Sequence, residues 1–170
     1  PYNTRAVLSD GGRTGRPKKE VIAPRAFAYR VDRPEEDIHL LVGHSYDRPL
    51  ASRRAGTLSF VDGGDALTFT AIITQEMQGV SWVQDILASI AAGLIVGISP
   101  GFRVPQGGDR VKRSGAGIMR VVRSADLIEI SAVTKPAYPA AQIEARNWTP
   151  DLQPDGLGTG FQRTLNRWRA

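Results

Sequence analysis

The chain has 170 residues, with 22 basic against 17 acidic side chains and a formal net charge of +5. At 41% hydrophobic residues it can bury a core without staples; the absence of cysteine excludes a disulfide scaffold, a thiol nucleophile and thiolate metal sites, and two histidines exclude a three-histidine metal centre. Its 18 glycines and 11 prolines favour a loop-rich, strand-rich fold, and no apolar run is long enough to span a bilayer, so a soluble intracellular protein is the expectation.

Asp10 to Lys19 reads as a flexible basic loop, with Gly11, Gly12, Gly15 and Pro17 among four cations. Glu20-Val21-Ile22-Ala23-Pro24 is a short apolar run stopped by proline. In Asp37 to His44, Ile38, Leu40, Val42 and His44 share one parity, which predicts a strand with His44 at its end on the core face and His39 on the other. Tyr46-Asp47-Arg48-Pro49 carries turn chemistry. Gly56–Val61 and Ala66–Ile73 flank Asp62-Gly63-Gly64-Asp65, the clearest hairpin of the chain. Ser81-Trp82-Val83-Gln84 has the form of a capping box, and Val83, Ile86, Leu87 and Ile90 make one helix face that Gly93 ends.

Leu94 to Val104 is extended and largely apolar, Gln106 to Arg110 is a loop, and Met119–Val122 and Leu127–Val133 are further strands. One domain over residues 1–145 is predicted, followed by a tail (146–170) whose Phe161, Leu165 and Trp168 suit a short terminal helix. The fold class is β-rich, mainly β with a few helices. The basic residues are scattered and no aromatic ladder interleaves them, so they read as a solvated surface and nucleic-acid binding is not expected.

Three residues stand out chemically. Ser99 interrupts an apolar run, with Gly97 and Gly101 on its own face leaving a slot where a backbone could approach, and Pro100 biasing it to an extended conformation. The Gly-Ile-Ser-Pro-Gly spacing matches a nucleophile elbow in form only, because no helix begins after it. Glu129 interrupts the strand Leu127–Val133, where Leu127, Glu129, Ser131 and Val133 share a face; it is either exposed or paired, since a buried unpaired carboxylate is costly. His44 is the only base on a suitable strand end, although a lone strand-end histidine is also an ordinary structural residue. Together they supply a serine, a base and an orienting acid.

Val21–Phe27, Leu41–His44 with Asp47–Leu50, Gly56–Leu58, Ala92–Leu94 running into Gly97–Phe102, and Leu127–Ala140 occur in this order over residues 20 to 143. In that arrangement the chain resembles the prohead (capsid maturation) proteases of tailed bacteriophages and, more distantly, the herpesvirus assemblins. The resemblance implies a closed, mostly antiparallel β-barrel surrounded by helices and a serine endopeptidase with Ser99 as nucleophile, His44 as general base and Glu129 as orienting acid; Asp47 and Asp126 are alternatives for the acid. In assemblins a second histidine holds the third position, and His39 is badly placed for it.

Pro100 has no N–H, so oxyanion donors must come from Ser99 or Gly101, or from backbone near Thr134 to Ala137, Lys135 included, where the resemblance puts them. The implied substrate is the major capsid protein or scaffold polypeptide, cut inside the immature capsid in the bacterial cytoplasm, with self-cleavage and a homodimer; the Ser81–Ala92 face and Phe161–Trp168 are candidate contacts. No cofactor, metal or membrane is implied. The competing reading is a non-enzymatic β-barrel scaffold component or nucleic-acid-binding module.

Overall fold

Strands form wherever the sequence alternates, and at several edges where it does not. The computed structural model describes residues 1–9, 18–114 and 117–143. Its elements are β1 (Arg5–Ser9), β2 (Lys18–Ile22), α1 (Ala28–Val31), β3 (His39–Val42), β4 (Ser45–Ser52), β5 (Leu58–Asp62), β6 (Leu67–Ala71), α2 (Gln75–Gln78), α3 (Ser81–Ala91), β7 (Gly97–Arg103), β8 (Asp109–Ser114), β9 (Gly117–Val122) and β10 (Asp126–Val133). Most of the basic stretch before β2, and the tail with the short helix expected in it, lie outside the described residues; Lys18 and Lys19 begin β2 instead of closing a loop.

The strands form an outer sheet, β1-β2-β9-β8, a site sheet, β4-β3-β10-β7, and the hairpin β5–β6. The β2–β9 and β3–β10 pairs are parallel and the other pairs antiparallel, so the β-rich, mostly antiparallel expectation holds. Among the described residues no sheet closes on itself, so the closed barrel that the resemblance implies is not confirmed. Closure needs edge-to-edge pairing. The free edge of β7 is taken instead by the segment after β10: Ile98 N–H donates to the Ala141 carbonyl, Ile143 N–H to that of Val96, and Gly97 bridges Gln142. Leu40, Ile98 and Ile130 of the site sheet, Phe60 and Phe69 of the hairpin and Leu87 of α3 line an apolar cleft of about 1170 Å³.

One core joins both sheets. Ile22 and Val122 come from the outer sheet, Leu40, Ile98, Leu127 and Ile130 from the site sheet, and Val83 and Leu87 from α3. The Val83–Leu87–Ile90 face of α3 is therefore packed into the core. Ser81 lies inside α3, behind Val80 at the cap, and the Gln84 amide donates to the Gln78 carbonyl, so the capping box does not form. The C-terminus ends as Gly93 requires: at φ 71° its N–H donates to Ile90, and Leu94 N–H to Ser89. Two short helices were not foreseen. Thr74 caps α2 through the Met77 N–H, and Arg53 holds the end of α1, donating to the carbonyls of Arg30, Val31 and Arg33.

Tyr46–Pro49 is strand, not turn. The turn lies just before it at Gly43-His44, where both residues have positive φ (58° and 62°) between the paired Val42 and Ser45. Two left-handed residues in a two-residue loop are the requirement of a type I′ hairpin. Pro49 is tolerated because β4 is a sheet edge.

Candidate active site

The face of the site sheet turned away from the core carries Ser99, Ser131 and Glu129. Register fixes this: Ser99 pairs with Ser131 and Gly101 with Glu129, and directly opposed residues share a face. A β-bulge between Leu127 and Glu129 breaks the parity of β10. Leu127 and Ile130 thereby both reach the core, while Glu129 turns to the opposite side. The expectation that Leu127 shares the Glu129 face is wrong for that reason.

His44 reaches the same face by its turn. Strand parity would have sent its ring to the core, but β3 ends at Val42 and the left-handed Gly43-His44 pair reverses the direction. The Nδ1–H of His44 donates to Glu129 Oε1 at 2.8 Å. Its backbone N–H donates to Ser131 Oγ at 3.0 Å, and the Ser131 hydroxyl donates to Glu129 Oε2 at 2.6 Å. Both carboxylate oxygens are thus satisfied inside a closed ring of three hydrogen bonds. The Glu129 side chain is 5% exposed and the His44 side chain 48%. A buried carboxylate is tolerable on these terms. Donation from Nδ1–H leaves Nε2 with its lone pair.

The glycines beside Ser99 do not leave an open slot. A Cβ at Gly101 would overlap the Glu129 carboxylate, and one at Gly97 would strike the Pro136 ring. Their missing side chains are occupied from within the protein, and Ser99, 7% exposed, lies between them. Among the described residues its hydroxyl is not hydrogen-bonded to His44; such bonds are commonly long in a free enzyme and tighten around substrate. Lys135 is exposed in the segment after β10, next to the Pro136 that covers Gly97.

The alternative acids are placed elsewhere. Asp126 pairs with Arg103 at 3.2 Å, and Asp47 is exposed on β4. His39 is closer to the group than parity suggested, since it pairs with Glu129 across the parallel β3–β10 ladder. Its ring packs edge-on against Tyr46, and its Nε2 lies 3.5 Å from Asp37.

Sequence reasoning missed Ser131, which is fully buried. Its signal was the second polar residue on the Glu129 face. It also missed a polar cluster beside the site: buried Glu20 on β2 pairs with Arg120 at 2.9 Å and accepts from the Tyr138 hydroxyl, tying the outer sheet to the segment that crosses Gly97.

A β-rich chain with a histidine oriented by a buried carboxylate, and a serine on the same sheet face, carries the side-chain set of a serine hydrolase. The family model of the caudovirus prohead serine proteases matches residues 9–153, and the chain belongs to that family. It is thereby a serine peptidase of the capsid-maturation kind. No curated protein and no solved structure matches the chain.

Proposed function

We propose that the chain is an endopeptidase that cuts capsid or scaffold polypeptide inside the immature phage shell in the host cytoplasm, with Ser99 as nucleophile, His44 as general base and Glu129 as orienting acid. The observation that carries this reading is the 2.8 Å hydrogen bond from His44 to a buried Glu129 on the sheet face that bears Ser99. His44 Nε2 takes the Ser99 proton as Oγ attacks the scissile carbonyl. Glu129 keeps the ring in the productive tautomer and stabilises the imidazolium. The imidazolium then protonates the leaving amine, and water hydrolyses the acyl-enzyme by the reverse proton path.

Pro100 contributes no N–H, so the oxyanion is assigned to backbone donors at Gly101 and at Lys135, beside Pro136 in the segment after β10. Cleavage of the chain's own termini and action as a homodimer complete the proposal. The experiment is co-expression with the cognate capsid protein, read by intact mass. Cleavage by the wild type that disappears in Ser99→Ala supports the reading. Equal cleavage in both removes Ser99 as nucleophile.

A further inference from the structure

The solvent face of the outer sheet carries a charge pattern that the peptidase site does not use. Register places Arg5 and Val7 of β1, Lys19 and Val21 of β2, Met119 and Val121 of β9, and Arg110 and Lys112 of β8 on one face. The opposite face holds Ala6, Glu20, Ile22 and Val122, all buried. Arg123, just beyond β9, joins Arg110, Lys112 and Val121 around a shallow depression of about 290 Å³.

This face therefore bears five cations: Arg5, Lys19, Arg110, Lys112 and Arg123. Among the described residues none of them is ion-paired, and no acid lies on the face. The chain's whole excess of basic over acidic residues is five, so setting this face aside leaves the remaining charges balanced. Most of the basic residues stay scattered as read from the sequence, but these five share one face of the sheet. Alternate residues along a strand lie about 7 Å apart, so Arg110 and Lys112 of β8, with Arg123 beside them, sit within a Debye length of one another, while Arg5 on the opposite edge strand β1 lies about 14 Å away.

We propose that this face docks an acidic, amphipathic segment of the polypeptide that the peptidase processes, with the Arg110–Lys112–Arg123 depression receiving its carboxylates. The source of the segment rests on the proposed function; the binding does not. Two features favour a polypeptide over nucleic acid. The face has no aromatic ring on which a base could stack. Its cations alternate with Val7, Val21, Met119 and Val121, which apolar side chains of a peptide would cover and a sugar–phosphate backbone would not.

The test uses the full chain carrying Ser99→Ala, so that no cleavage is needed, and a fluorescein-labelled peptide alternating glutamate with valine, followed by anisotropy. Binding should weaken with salt and fall at least about tenfold in Arg110→Gln/Lys112→Gln/Arg123→Gln, as expected for three exposed charge contacts. It should persist in Arg110→Lys/Arg123→Lys, which keeps the charges, and each variant's thermal melt should match the parent. Equal binding by the triple variant, no binding by the parent, or tighter binding of a DNA duplex or single strand at matched salt overturns the proposal. Absence of capsid cleavage by the wild-type chain bears only on the peptidase reading and leaves this result standing.

Discussion

Ser131 holds both His44 and Glu129, the proposed base and acid, and its hydroxyl acts in opposite senses on the two. It accepts from the His44 N–H, fixing a non-glycine residue at φ 62°, and donates to Glu129 Oε2. Positive φ is unfavourable for histidine, so the turn needs such outside support. Ser131→Ala is expected to destabilise the fold by about 1–3 kcal/mol, because two buried groups lose a partner. It should also lower kcat/KM at least about tenfold on a capsid-derived peptide. Ser131→Thr, which keeps the hydroxyl, should recover most of the activity; if Ser131→Ala is as active as the parent, the ring of hydrogen bonds does not position the base. Gly101→Ala should be worse, since a methyl would displace the Glu129 carboxylate from His44. Wild-type rates in that variant would show that the His44–Glu129 contact is dispensable. Ser99, Glu129 and His44 were each visible in the sequence as a polar residue in an apolar run. How His44 joins the face of Ser99 and Glu129 was not, because the left-handed Gly43-His44 turn reverses the strand parity that would send its ring to the core, while the bulge displaces only Leu127.

At the level of elements, legibility followed burial on one face. The β5–β6 hairpin, α3, β7, β9 and β10 alternate or repeat in apolar residues and were readable. β1 and β8 were not: β1 buries only Ala6, and β8, an edge strand reading Asp109-Arg110-Val111-Lys112-Arg113-Ser114 with Val111 exposed, needs no apolar pattern. α1 and α2 have four residues each, too few for a helical period to show. Their stability comes from single contacts. Thr74→Ala should therefore cost about 1 kcal/mol through the lost α2 cap, readable as a lower urea midpoint at unchanged m. Leu87→Ala in α3, whose side chain lies in the joint core, should cost about 2–5 kcal/mol by the same assay. If the two losses come out equal, α3 is not the anchoring helix that its buried face describes.

Across the whole molecule, the outer and site sheets are coupled by polar as well as apolar contacts. Tyr138, on the segment that crosses β7, donates its hydroxyl to Glu20 of β2, and Tyr2 donates to Asp62 at the end of β5. Burial is the main reason both phenols hold their protons far above the usual tyrosine range, and the carboxylate partner adds to it through the hydrogen bond and its charge. The sign of the pH effect follows. Below about pH 10 both folded and unfolded phenols are protonated, and these groups give no slope. Above it the unfolded chain releases protons that the folded chain keeps, so the unfolded state binds fewer protons and stability falls as pH rises. Urea unfolding at increasing alkaline pH should show this decline, and lysine titration contributes to it as well. The comparison with Tyr138→Phe isolates the phenol: the variant should start lower at neutral pH, having left Glu20 one partner short, and then lose stability less steeply above about pH 10. Parallel curves for the two proteins would mean that the Tyr138–Glu20 contact does not hold the crossing segment against the outer sheet.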